Sequence, residues 1–264
     1  MRRPGGELAT RPLHFIWIAD CSGSMGSDGK IQALNTAVRE AIPHMQQVAD
    51  ENPNAHVLVR AVTFSSGAQW HLSQPTAVAD FKWTDLSAGG TTDLGKALSM
   101  VAEQLKIPPM TDRALPPVLV LISDGQPTDN FAKGLDALMA EPWGKKAVRV
   151  AIAIGDDADH DVLQKFIGHP ELQPLQANNP EALVRCIRWV STAVLQAASS
   201  PASQTTGAVA LTSSGSSGAT SGAAGTASGT AGTATTTATT PASNVPIAAI
   251  AAPTVAPATA ADVW

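Results

Sequence analysis

Apolar residues along this chain follow two rhythms. Residues 13–19 (Leu-His-Phe-Ile-Trp-Ile-Ala) and 118–122 (Val-Leu-Val-Leu-Ile) are short apolar runs, rich in branched and aromatic residues and closed by turn residues. Such runs predict strands buried on both faces, as in a parallel sheet covered by helices. Residues 56–64 and 147–154 read the same way, and 68–72 form a short partner strand at an antiparallel edge. The second rhythm is helical. Ile31, Leu34, Val38, Ala41, Met45 and Val48 share one face of a long first helix, with a kink expected at Pro43. Leu94, Ala97, Leu98, Val101 and Leu105 mark a helix that Pro108-Pro109 ends, and residues 131–139, 162–167 and 181–198 predict three more. Strands alternating with helices predict an α/β fold, a doubly wound, mostly parallel sheet with right-handed crossovers over residues 11–198. That length can bury a full core in one domain.

Composition changes abruptly beyond this region. Residues 199–264 are mostly Ala, Ser, Thr, Gly and Pro, with Asp262 the single charge and Trp264 the single aromatic residue. A segment with so little to bury is expected to be disordered and to serve as a tether. Its apolar patch at 245–250 is too short to span a membrane. Residues 1–10 are read as a flexible N-terminus, and no early run has the form of a signal segment. Two cysteines, Cys21 and Cys186, make no disulfide framework, so both are expected to be sheltered thiols in a cytoplasmic protein. A net charge of −5 without Lys/Arg clusters argues against nucleic-acid and anionic-membrane partners. The histidines (14, 44, 56, 71, 160 and 169) show no paired ligand spacing, and none is assigned to a metal.

The chemistry concentrates where strands end. Open parallel sheets carry their ligands beyond the carboxyl ends of strands, at the switch point. The first strand delivers Asp20, Ser22 and Ser24 from Asp-Cys-Ser-Gly-Ser, and a later one delivers Asp124 from Ser-Asp-Gly. Two carboxylates with hydroxyls form a hard-oxygen set suited to Mg²⁺ or Mn²⁺. Mg²⁺ keeps several waters and takes only one or two carboxylates. Two aspartates balance the ion, which stays electrophilic toward one more anionic oxygen. No histidine, lysine or spare carboxylate within these motifs offers a general base, so the pattern favours binding over hydrolysis. Taken singly, Ser22 or Ser24 also fits a helix cap, and Asp124-Gly125 fits an ordinary turn. With a third, glycine-rich segment between them at 88–95, the three stand in the right order, each beside the right kind of segment, and together outweigh those readings.

With the glycine-rich loop Ala88-Gly89-Gly90-Thr91-Thr92-Asp93-Leu94-Gly95, these segments resemble the metal-ion-dependent adhesion site of a von Willebrand factor type A domain. The resemblance implies metal ligation by Asp20, Ser22, Ser24, Thr92 and Asp124, with Thr91 the competing assignment. It also implies a contact rim of Met25, Gly90, Asp93 and Gly125, and capture of a carboxylate from a protein partner. Four further landmarks, at 62–65, 124–129, 158–163 and 188–191, look like the bacterial TerY-type subgroup associated with tellurite resistance and chemical stress. That narrower likeness implies a kinase or a PP2C-type phosphatase as partner. The competing function is a metal-dependent phosphatase or hydrolase using Asp20. It wants a nearby lysine or second acid, and the motif supplies neither. Lys30, the nearest base in sequence, is expected to start the first helix.

Overall fold

The computed structural model describes residues 10–199 and 252–253. The readings made for the flexible N-terminus and for the tail lie almost wholly outside the described residues. Six strands form one sheet in the order β3-β2-β1-β4-β5-β6, comprising β1 (Arg11–Asp20), β2 (Ala55–Ser65), β3 (Gly67–Ala77), β4 (Val118–Ser123), β5 (Val148–Ile154) and β6 (Leu175–Ala177). Every pairing is parallel except β2 with β3. The sheet is therefore mixed and mostly parallel, with the antiparallel strand at one edge.

β1 is central because its apolar run has neighbours on both sides. Phe15 lies opposite Val59 of β2 and Val118 of β4. The strand period of two then divides its side chains between the faces. Leu13, Phe15, Trp17 and Ala19 pack in the cluster built with α1 (Lys30–Asp50) and α6 (Pro180–Trp189). Ile16 and Ile18 pack in the other, under α2 (Leu94–Gln104), α3 (Phe131–Ala140), α4 (Pro142–Lys146) and α5 (His160–Ile167). The chain leaves β1 through α1 toward β2, then returns through α2 to β4 on the opposite side. The switch point thus lies at the carboxyl ends of β1 and β4.

Several elements depart from the sequence reading. β3 runs well past residue 72, and β6 and α4 were not expected. A three-residue strand and a five-residue helix are too short to show a period. The last helix is interrupted by a π-helical turn, Val190–Val194, before α7 (Leu195–Ser199). Inside that turn the Thr192 hydroxyl donates to the Arg188 carbonyl at 2.8 Å, a back-bond that disturbs a helical ladder. Close packing of α2 on α3 rests on two glycines. A Cβ on Gly134 would overlap the Gly95 carbonyl, and one on Gly95 would overlap the Asn130 carbonyl. This contact holds the segment after β4 against the start of α2.

Candidate metal centre

Asp20 ends β1 fully buried, and both of its carboxylate oxygens are occupied. Oδ1 accepts from the Ser22 backbone N–H at 2.8 Å, and Oδ2 from the Ser123 hydroxyl at 2.5 Å. The chain then makes a short 3₁₀ turn, Gly23–Gly26. Ser22 precedes that turn without a side-chain cap, and the residue before α1 is Gly29, also uncapped. The serines are therefore not spent on capping. Ser22 Oγ lies 3.0 Å from Ser24 Oγ, and Ser24 Oγ donates to Asp124 Oδ1 at 2.7 Å.

The glycine-rich loop brings the third segment. Gly89 N–H donates to the Cys21 carbonyl at 2.8 Å, and Gly23 N–H to the Gly90 carbonyl at 3.1 Å. Thr92 and Thr128 are doubly tied: Thr92 N–H donates to Thr128 Oγ1, and Thr128 N–H to the Thr92 carbonyl, each at 2.9 Å. Thr92 is buried, and a Cβ placed on Gly125 would lie 3.6 Å from Ser24 Oγ and 3.9 Å from Thr92 Oγ1. Hydroxyls from two distant segments thus flank one small space. Thr91 is exposed and turns away, donating to the Ser65 carbonyl at 3.4 Å and lying 3.3 Å from Ser66 Oγ.

Two of the expected rim residues are elsewhere. Met25 is fully buried, because the tight turn after Ser24 points its side chain into the core cluster on the α1 face of the sheet. Asp93 is also buried, and its carboxylate braces the loop. Oδ2 accepts from Gly67 N–H at 2.8 Å and Lys96 Nζ at 2.6 Å, and Oδ1 from Thr128 Oγ1 at 3.3 Å. The hydrogen-bonded Lys96 ammonium holds its carboxyl below the usual range. Of the four residues expected at the rim, Gly90 is exposed and Gly125 half-buried.

Lys30 was missed as a site residue. It does begin α1, but a cation in the first turn opposes the helix dipole, and that misfit was the available signal. Its side chain is buried, with Nζ 3.0 Å from Asp124 Oδ2 and 3.7 Å from Asp157 Oδ1. The motifs themselves contain no lysine, as read from the sequence, and the fold brings Lys30 to Asp124 from outside them. Ser123, which holds Asp20, was missed as well.

Electrostatically the site is strained toward taking up positive charge. Burial, with a smaller contribution from nearby Asp124, pushes the Asp20 carboxyl up to about 6 despite the opposing hydrogen bonds from Ser123 and Ser22. A divalent ion held there would relieve that arrangement. Among the described residues no group of three or more His, Cys, Asp or Glu is placed to hold a metal. The donor set is instead two carboxylates with hydroxyls, which fits a hard cation that retains water. Cys21 and Cys186 are free and buried, and burial pushes their thiols up to about 12 and about 11. Neither is a reactive thiolate.

A mostly parallel sheet carrying carboxylates and hydroxyls at its switch point defines an α/β domain with an oxygen-rich site. The von Willebrand factor type A domain matches residues 16–183, and the chain belongs to that family. A comparison with curated proteins found no match. Among solved structures it is similar to the ArnB paralog VWA2 from Sulfolobus acidocaldarius, at 19% identity and a TM-score of 0.51, covering 67% of this chain and 44% of that one. A von Willebrand factor type A protein from Catenulispora acidiphila aligns at 17% identity and a TM-score of 0.53, covering 72% and 43%. Proximal thread matrix protein 1 from the mussel byssus, with a zinc-occupied MIDAS motif, aligns at 18% identity and a TM-score of 0.53, covering 69% and 48%. This chain spans less than half the length of each of these. No helix among the described residues is long and apolar enough to cross a membrane.

Proposed function

We propose that this domain is a cation-dependent protein-binding module that captures an acidic side chain of a partner. Asp20, Ser22, Ser24, Thr92 and Asp124 hold the ion, Mg²⁺ or Mn²⁺, and Gly90 and Gly125 leave the rim low enough for a partner to approach. The observation that carries this reading is a run of oxygen-bearing residues drawn from three distant segments: Asp20 accepts from Ser22 N–H, Ser22 Oγ meets Ser24 Oγ, Ser24 Oγ donates to Asp124, and the Ser24 and Thr92 hydroxyls flank Gly125. The mussel protein with zinc at the corresponding motif supports a divalent ion. When bound, the ion offers an electrophilic position to a partner carboxylate. The chain's own part is to hold Asp20 rigidly through Ser22 and Ser123, and Thr92 through Thr128.

The finer reading is a cytoplasmic TerY-type protein in a tellurite or chemical-stress system, with a kinase or a PP2C-type phosphatase as partner. The landmark segments support it, and some have identifiable local roles. Asp129 caps α2 by accepting from Gly95 and Lys96 N–H, both at 2.8 Å, and Asp159 caps α5 by accepting from Val162 N–H at 3.1 Å. Lys30 gives the phosphatase reading the amine it lacked. However, Asp20 has both oxygens engaged and is poorly set for nucleophilic attack.

Calorimetric titration with Mg²⁺ and Mn²⁺, alongside pulldown with and without EDTA, tests the proposal. Metal binding should vanish in Asp20→Ala and weaken less in Thr92→Ala, where water can replace a neutral ligand. Partner capture should vanish in EDTA, and changing one partner acid to its amide should cost a few kcal/mol, roughly, since charge-assisted contacts are about twice as strong as neutral ones. Metal binding that persists in Asp20→Ala overturns the assignment. Metal-dependent turnover of generic phosphoesters would favour the enzyme reading.

A further inference from the structure

Lys30 is the feature of this centre that the binding function does not use. Its ammonium is buried against Asp124 Oδ2 at 3.0 Å, across 94 positions of sequence. A second anion lies within reach on the solvent side. Asp157 Oδ1 is 3.7 Å from the same nitrogen, and its side chain is 74% exposed. The backbone between them is kept clear. Gly155 has φ +80°, and a Cβ there would lie 3.2 Å from Lys30 Nζ and 3.0 Å from Asp157 Oδ1. The long flexible stem of lysine can therefore carry its charge from one carboxylate to the other through the gap at Gly155.

We propose that Lys30 is the resident counter-ion of the cation site, neutralising Asp124 until a divalent ion displaces its ammonium toward Asp157, and so sets the affinity of the site. This rests on the cation-binding reading above. The charge count carries the argument. Asp20 and Asp124 supply two negative charges, and Lys30 cancels one of them. A divalent ion added with Lys30 still on Asp124 leaves an excess positive charge inside a buried site. Transfer of the ammonium to Asp157 leaves the two aspartates balanced by the ion alone. Asp124 Oδ2 is freed in the same movement, while Ser24 keeps its hold on Oδ1. Lys30 is thus a positioning residue that competes with the ion, where a purely structural lysine would support it.

Calorimetric titration of the full chain with Mn²⁺ tests this in the parent, Lys30→Met, Asp157→Asn and the double variant, with circular dichroism to establish folding. A charge close to a buried site shifts an equilibrium by roughly tenfold to a thousandfold. Lys30→Met should therefore bind Mn²⁺ at least about tenfold more tightly. The same variant should melt at a lower temperature in EDTA and gain more on adding Mn²⁺ than the parent does. Asp157→Asn, at an exposed side chain that leaves the fold intact, should weaken Mn²⁺ binding in the parent and do nothing in the Lys30→Met background. Unchanged or weaker binding by a folded Lys30→Met overturns the proposal while leaving the cation reading in place. An Asp157→Asn effect that is absent, or equal in both backgrounds, also overturns it. If neither the parent nor any variant binds Mn²⁺, the cation reading fails and the counter-ion role falls with it.

Discussion

Replacing Asp20 by Asn should stabilise the protein in chelator and abolish its response to metal. Burial raises the Asp20 carboxyl from its ordinary 3.8 to about 6. The folded chain then holds a proton more tightly than the unfolded one. Stability falls as pH rises from about 4 to about 6 and stays lower above that. At 1.36 kcal/mol per pKa unit, the ionised carboxylate costs the folded state about 3 kcal/mol at pH 7. The facing charges are Asp124 and, bonded to it, Lys30. Asparagine fits the same partners. Its carbonyl accepts from Ser22 N–H and its amide donates to Ser123 Oγ, whose own proton has the Gly125 carbonyl at 3.5 Å. Urea unfolding in EDTA at pH 7.5 should show Asp20→Asn more stable by about 1–3 kcal/mol, and by much less at pH 4.5. Mg²⁺ at a hundred times its dissociation constant adds about 2.7 kcal/mol to the parent alone, which closes or reverses the gap. A variant less stable than the parent in EDTA at pH 7.5, or a gain independent of pH, would refute the reasoning.

Gly125→Ala should leave the melting temperature nearly unchanged, since its Cβ meets Ser24 Oγ and Thr92 Oγ1 at ordinary contact distances, yet weaken Mn²⁺ binding about tenfold by calorimetry. Asn35→Leu should cost about 3 kcal/mol or more in denaturant unfolding. Its amide donates to the Leu86 carbonyl at 2.9 Å and accepts from Trp83 Nε1 at 3.0 Å and Leu86 N–H at 2.9 Å, all left unpaired by leucine. His14 is held down at about 4, chiefly by burial and then by Arg60 and His56, so it stays neutral in the fold as pH drops. Its share of stability is present above pH 6.5 and lost toward pH 4. His14→Gln should therefore gain up to about 3 kcal/mol relative to the parent across that window. A constant difference between the two would place the histidine's cost elsewhere.

The strands were legible where their apolar runs were long and bounded, and so was the place of Asp20, Ser22, Ser24 and Asp124 at their ends. Parallel pairing of Ala19 with Ile122 is what turns two separate motifs into neighbours. Lys30 offered one hint, a cation in the first turn of α1, but its reach to Asp124 was not legible, because that depends on how the chain enters α1 through Asp28 and Gly29, both at positive φ. Met25 was misplaced for a related reason. Adjacency to Ser24 suggested the rim, while a 3₁₀ turn rotates successive side chains by a third of a circle and sends this one inward. Asp93 shows a third kind of limit. A carboxylate beside a candidate ligand reads as functional from sequence, and only the fold reveals Gly67, Lys96 and Thr128 around it.

Those braces bear on how the proposed site works. Thr92 is fixed by Thr128, α2 is capped by Asp129, and the 81–90 segment hangs on Asn35. None of these bonds uses an oxygen assigned to the cation. The loops that form the rim are therefore held by the protein itself, and removal of the ion leaves their anchoring intact. The bonds that must rearrange lie inside the site, at Ser24 on Asp124 and Lys30 on Asp124. On this reading, the ion controls whether the centre can take a partner's carboxylate, while the rigid rim around Gly90 and Gly125 determines which carboxylates reach it. A partner variant that fails because of shape should then fail equally with Mg²⁺ and Mn²⁺, whereas one that fails for want of charge should respond to which ion is supplied.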